Sequence, residues 1–213
     1  MVAAHLFVGS IPTLRFNKIQ MKRVILVHGW EATSKSDFFP WLKKELDKKK
    51  VWNYFPDMPN TGEPEINEWV GFLKKNIKNI DEETILIGHS IGCQAVLRFM
   101  ETLPAKVKIK KVILLAPWIK FDKKREQALR EEGEEVWEIA RQWIETPIDW
   151  EKVKSHCKNF LCIFSDNDPY VSLLNKEIFG KELNAKSIIL HNKYHFNEGN
   201  GIRKLPEILE FLE

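Results

Sequence analysis

Thr84-Ile85-Leu86-Ile87-Gly88-His89-Ser90-Ile91-Gly92-Cys93 is a short β-branched run that ends abruptly in Gly-His-Ser-Ile-Gly, and a helix-like segment follows it. Glycines two before and two after a serine let a helix pack close to the strand that feeds it, because no Cβ stands in the gap. The serine then occupies a strained strand-to-helix turn, with its oxygen projecting at the helix N-terminus, where backbone N–H groups can hold a developing anion. That is the sequence form of a nucleophile elbow. The competing reading is a tight turn whose serine merely caps a helix over Gln94 to Met100.

Outward from this stretch, apolar runs of strand length recur at Val24 to Val27, Trp52 to Phe55, Val112 to Ala116, Phe160 to Phe164 and Ser187 to Leu190. Between them lie amphipathic stretches at Phe38 to Lys49, Ile66 to Ile77, Gly92 to Leu103 and Ser172 to Leu183. Buried strands alternating with helices predict a parallel sheet covered on both faces, a three-layer α/β arrangement. Residues 118–150 break the rhythm with two helical stretches rich in Glu, Arg and Trp and no strand between them, placed where a cap insertion would stand. Trp118, Trp137, Trp143 and Trp150 could line an apolar pocket there, although tryptophan at helical spacing is more often core.

A chain of 213 residues is most simply one domain with a full core. Thirty-three Lys and Arg stand against 30 Asp and Glu, and the charges are interspersed, as in Trp41 to Lys50, so a nucleic-acid partner is not implied. Cys93, Cys157 and Cys162 are odd in number and apolar in setting, with no metal-like pair, which fits a reducing, cytoplasmic location. No apolar run approaches a membrane span. Residues 1–20 lack a basic leading region, and Met21 immediately precedes the first strand; they read as a peripheral extension, or as the product of a mis-set translation start, ahead of a single domain over 21–213.

A serine hydroxyl is a poor nucleophile at neutral pH, so it requires a base within reach and an acid that orients the base. Two strand ends supply candidates: Ser165-Asp166-Asn167-Asp168-Pro169-Tyr170-Val171 and His191-Asn192-Lys193-Tyr194-His195-Phe196. In a parallel sheet these loops converge at the carboxyl ends of the strands, and the chain order Ser, Asp, His is that of the α/β-hydrolases. Asp168 is preferred to Asp166 because Asp-Pro fixes the backbone at the loop start. His195 is preferred to His191 because a loop histidine can reach back over the elbow. Val27-His28-Gly29-Trp30 closes the first strand and assigns the oxyanion donors to the N–H groups of Trp30 and Ile91. His28 and Trp118 are the candidates for a pocket wall, although His28 reads more readily as a buried histidine bonding its loop. His89 reads as packing or bonding rather than proton transfer.

From Met21 onward the chain resembles the small serine hydrolases of the retinoblastoma-binding-protein-9/YdeN family. The resemblance is carried by Val-His-Gly at 27–29, Phe39-Pro40-Trp41-Leu42, Pro56-Asp57-Met58-Pro59-Asn60, the elbow, Ser165 to Val171 and His195-Phe196-Asn197-Glu198. It implies a compact α/β-hydrolase without the first antiparallel strands of larger members, with six parallel strands in the order 2-1-3-4-5-6, and a triad of Ser90, Asp168 and His195. Members usually carry Gly before the triad histidine; here Tyr194 stands there. No L-x-C-x-E motif is present, so retinoblastoma protein is not an expected partner. The expected activity is acyl transfer from a small ester or related substrate to water, with no cofactor or metal, in a chain that is a monomer by default. The rival expectation is a non-catalytic binding module that keeps the fold and uses its crevice for a ligand.

Overall fold

A computed structural model describes residues 22–212; the extension expected over 1–20 lies outside them. The described chain alternates strand and helix: β1 (Arg23–Val27), α1 (Phe39–Lys48), β2 (Trp52–Tyr54), α2 (Ile66–Asn76), β3 (Thr84–His89), α3 (Ile91–Glu101) and β4 (Lys111–Leu115). Then come α4 (Lys123–Glu132), α5 (Glu134–Glu145), α6 (Trp150–His156), β5 (Phe160–Ser165), α7 (Leu174–Leu183), β6 (Lys186–Leu190) and a short α8 (Glu207–Glu210). Most of these bounds fall within a residue or two of those read from the apolar periodicity. The departure is the stretch between β4 and β5, where a third helix, α6, follows the two expected ones.

All six strands are parallel, in the order β2-β1-β3-β4-β5-β6. β3 and β5 are buried along their whole length, whereas the edge strands β2 and β6 are half-exposed, as a sheet covered by helices on both faces requires. α3 runs back along β3 and β1 and is itself packed between α2 and α6, so ten of its eleven residues are buried. It is therefore apolar nearly all round, and Arg98, its one buried cation, donates through Nη1 and Nη2 to the carbonyls of Trp143, Thr146 and Pro147.

The order reverses at β1, whose neighbours are β2 on one side and β3 on the other. A doubly wound sheet opens a crevice at such a point, outside the carboxyl ends of the strands. β1 pairs with β3 in register up to Val27 opposite Gly88, which sets the loop after β1 directly beside the turn after β3.

That turn is as tight as the glycine spacing requires. A Cβ on Gly88 would stand 2.5 Å from the Cα and 2.7 Å from the N of Cys93, and one on Gly92 would collide with the carbonyls of Val27 and His28. Helix α3 is thus seated on bare backbone at both contacts. Gly88→Ala is expected to destabilise the fold by about 2 kcal/mol or more, since only backbone can move to relieve the overlap. In the middle of α2, by contrast, a Cβ on Gly71 would meet nothing within 4 Å, so Gly71→Ala is expected to stabilise by about 0.5–1 kcal/mol. Urea unfolding of the two variants checks both signs, and equal effects contradict the packing account.

Candidate active site

Ser90 lies between β3 and α3 with φ 53° and ψ −124°, outside the regions open to most side chains. The turn is pinned on the strand side by the Ser90 N–H donating to Leu115 O at 2.9 Å and on the helix side by Cys93 N–H donating to Ser90 O at 3.0 Å. The Ser90 side chain makes no capping hydrogen bond. The helix-cap reading of this serine is therefore set aside, and its hydroxyl faces a cavity instead.

The cavity holds about 1100 Å³ and is bounded by Ser90, Ile91, Trp30, Trp118, Tyr170 and His195, with one wall formed by α4 and α5 through residues such as Leu129 and Ile139. Asp168 and His195 are brought together at its edge. His195 Nδ1 is 2.9 Å from Asp168 Oδ2 and 3.2 Å from Oδ1. A carboxylate only accepts, so Nδ1 carries the proton and Nε2 presents a lone pair. The carboxylate is fixed in turn by the N–H groups of Tyr170 and Val171, at 2.8 and 2.9 Å from Oδ1. Asp168 and His195 are both buried, and the Tyr170 ring stands edge-on to the imidazole with 5.1 Å between centroids. Ser90 and His195 line the same cavity without a hydrogen bond between their side chains.

The alternatives in the same two loops pair with each other. His191 Nδ1 meets Asp166 Oδ2 at 2.6 Å at an exposed position outside the cavity, and Asp166 Oδ1 accepts the Asn192 N–H at 2.9 Å. Asp166 is a brace for the loop that carries His195. The same loop is held by Ser165 Oγ, which accepts the Lys193 N–H at 3.0 Å, and by Asn167 Oδ1, which accepts the Tyr194 N–H at 2.8 Å. Tyr194 adopts φ 48°, so a left-handed conformation that glycine takes most readily is kept here by an aromatic residue, at a steric cost of about 1–2 kcal/mol.

On the opposite side of Ser90, the loop after β1 approaches so closely that a Cβ on Gly29 would lie 3.2 Å from Ser90 Cβ. Trp30 is held over the cavity by its indole N–H, which donates to Gly62 O at 2.9 Å, and the next residue is held by Glu31 N–H to Thr61 O at 2.9 Å. Among the described residues, no backbone hydrogen bond uses the N–H of Trp30 or of Ile91.

His28 does not belong to the pocket wall. It is fully buried, its Nδ1 lies 2.8 Å from Gly29 O and its Nε2 accepts the Met58 N–H at 2.9 Å, so it ties the end of β1 to the Asp-Met-Pro-Asn segment. The placement among pocket candidates fails because both ring nitrogens are consumed by backbone. Trp118 does line the cavity, stacked on Phe121 at 4.7 Å between centroids. Trp143 is core, set edge-on to Trp69 with its N–H on Pro64 O, Trp150 packs on Phe179, and Trp137 lies under the Arg130 guanidinium.

Two residues of the site carry no motif that sequence reasoning could single out. Arg125 on α4 donates to the Asp168 carbonyl at 2.8 Å, linking the helical wall to the acid loop. Asp37, before α1, accepts the Glu198 N–H at 3.0 Å. Neither contact has a local signature, because each closes over a long separation in the chain. Among the described residues, no group of three or more His, Cys, Asp and Glu is arranged to hold a metal, and no helix is long and apolar enough to cross a membrane.

A model of the family described as serine hydrolase matches residues 24–213. The chain belongs to the serine hydrolase family. YdeN of Bacillus subtilis is 27% identical over 191 residues, covering 90% of this chain and 94% of that protein. Its crystal structure superposes with a TM-score of 0.78, over 90% of this chain and 97% of the other. Serine hydrolase RBBP9 of Rattus norvegicus is 25% identical over 81% of this chain and 80% of its own. Est1E from Butyrivibrio proteoclasticus, at 16% identity, shares the fold with a TM-score of 0.58 over 84% and 82% of the two chains.

Burial holds two histidines near the site below their ordinary range: His28, and His89, which is pushed down to about 4 by burial and secondarily by its neighbour His195. The unfolded chain takes up protons near pH 6.5 that these folded histidines refuse, so the native state is favoured above that value and loses the advantage as pH falls. The urea midpoint is expected to drop steadily between pH 7 and pH 5, above the carboxylate range. A flat profile over that interval contradicts the buried neutral states.

Proposed function

We propose that this serine hydrolase cleaves small esters or related acyl compounds through Ser90, His195 and Asp168, with an acyl-enzyme intermediate. The observation that carries the reading is His195 on the wall of the cavity that holds Ser90 at φ 53°, paired through Nδ1 with the buried Asp168. Ser90 Oγ attacks the substrate carbonyl while His195 Nε2 takes its proton, and the imidazolium so formed is stabilised by Asp168 across the Nδ1–H contact. The free N–H groups of Trp30 and Ile91 receive the oxyanion, helped by the N-terminal end of α3. His195 then returns the proton to the leaving group, and water attacks the acyl-enzyme by the same route. Sites of this kind are often loose at the serine-to-base contact until substrate binds.

The wall formed by α4 and α5 acts as a cap over the acyl group, with Trp118, Phe121, Leu129, Val136 and Ile139 giving it an apolar lining. A non-catalytic module would have no use for a buried carboxylate fixed by two N–H groups and aimed at an imidazole, which supports the catalytic reading over the rival.

Ser90→Ala is expected to abolish labelling by a fluorophosphonate probe. It is also expected to lower hydrolysis of p-nitrophenyl esters by a factor of about 10⁴ or more. Asp168→Asn is expected to keep the fold and lose about 10³–10⁴ in kcat. A panel of esters of increasing chain length, beside acyl-CoA and aminoacyl amides, reads the acyl preference. Failure of the wild type to label under conditions that label a control esterase contradicts the proposal.

A further inference from the structure

The imidazole that precedes the nucleophile is turned away from it and towards the base. His89, the last residue of β3, is buried between the rings of Phe38, Phe39 and His195, at 6.4, 5.8 and 5.1 Å between centroids. Its Nε2 is 2.9 Å from the backbone carbonyl of His195. A carbonyl only accepts, so Nε2 bears the proton and donates. Nδ1 finds no hydrogen-bond partner; it faces Asp37 Oδ2 at 3.9 Å. Asp37 uses its other oxygen on the Glu198 N–H.

His195 sits in a turn closed by the Phe196 N–H donating to Lys193 O at 2.9 Å, with strained backbone on both sides. The residues on either side, Tyr194 and Phe196, have φ 48° and 57°, and Asn192 has φ 55°. A run of left-handed non-glycine residues persists only where the surroundings over-determine it. The approach to His195 is held by the β5 loop, through the contacts of Ser165, Asp166 and Asn167. Behind His195 the buried Phe196 side chain anchors the loop, and two contacts reach it from other elements: His89 on the His195 carbonyl and Asp37 on the Glu198 N–H. Both come from the side of the molecule that carries the nucleophile.

Resting on the catalytic reading above, we infer that His89 is a positioning residue: its Nε2–H grips the His195 carbonyl and so ties the general base to the strand end that carries Ser90. The bond leaves the substrate untouched. It fixes the direction from which the imidazole reaches over the elbow, so that one ring nitrogen meets Asp168 and the other is presented to Ser90. Because His89 and Ser90 are adjacent, any displacement of the elbow carries the base with it, and the spacing between nucleophile and base is preserved.

The test separates the hydrogen bond from the packing. His89→Leu keeps an apolar side chain among the phenylalanines and removes the donor. His89→Gln places an amide N–H where imidazole Nε2 stands, and His89→Asn places one where Nδ1 stands, too short to reach. For p-nitrophenyl ester hydrolysis, His89→Leu is expected to lose about 10- to 100-fold in kcat, with KM within about twofold, as slight misplacement of a catalytic group does. Gln is expected to recover most of that loss and Asn none of it, at matched thermal midpoints. Should the Leu variant not fold, the contrast between Gln and Asn decides. Wild-type kcat in His89→Leu, or a Gln variant no faster than Asn or Leu, overturns the positioning role while Ser90→Ala remains inactive. Activity that survives in Ser90→Ala overturns the catalytic reading and the inference with it.

Discussion

The whole arrangement depends on one close approach: helix α3 lies on the backbone of β3 and β1 with no side chain between them. Gly88 and Gly92 make that possible, and a Cβ at either position would meet main-chain atoms that cannot yield. The consequence is local strain. With the helix drawn this close, the single residue linking strand to helix must turn sharply, and Ser90 takes a conformation that serine adopts only where packing enforces it. The first N–H of α3 has no partner within its own helix, and the same closeness sets the β1 loop, with the free N–H of Trp30, against the serine. Steric exclusion at two glycines thereby fixes the turn at Ser90 and the N–H groups that stand beside it.

Electrostatics completes what packing begins. The buried Asp168 carboxylate selects one tautomer of His195 by accepting from Nδ1. The loop bearing His195 is held in its backbone shape by side chains from the β5 loop on one flank and by His89 and Asp37 on the other. These contacts come from separated parts of the chain, so the site forms only when the sheet does. Arg125 extends this coupling to the helical wall, because its guanidinium joins α4 to the carbonyl of the acid.

Much of the fold is legible in the sequence because buried strands leave a plain mark: Ile85-Leu86-Ile87 and Leu161-Cys162-Ile163-Phe164 are apolar on both faces, as strands of a covered parallel sheet must be. The elbow is legible for the same reason that it works, since its glycines are required by contact. In the sequence the choice between Asp166 and Asp168 rests on the Asp-Pro step, and that between His191 and His195 on loop position; the structure sorts the four into a surface pair and a buried pair beside the cavity. His28 falls wrongly among the pocket candidates because a histidine in an oxyanion-type loop gives no hint that both its nitrogens are spent on backbone. Asp37 and Arg125 leave no mark, because their roles exist only through contacts made across the fold. Nor can the sequence show that Tyr194 keeps a left-handed backbone, since that conformation is imposed by Asn167 and its neighbours.

The most direct measurement of the central claim is a crystal structure of the protein after reaction with an alkyl phosphonate. Phosphorus bonded to Ser90 Oγ is predicted, with one phosphoryl oxygen about 2.7–3.1 Å from the N–H groups of both Trp30 and Ile91, His195 Nε2 facing the serine oxygen and the alkyl chain under α4 and α5. An adduct on a different residue, or a phosphoryl oxygen turned away from both N–H groups, would contradict the account.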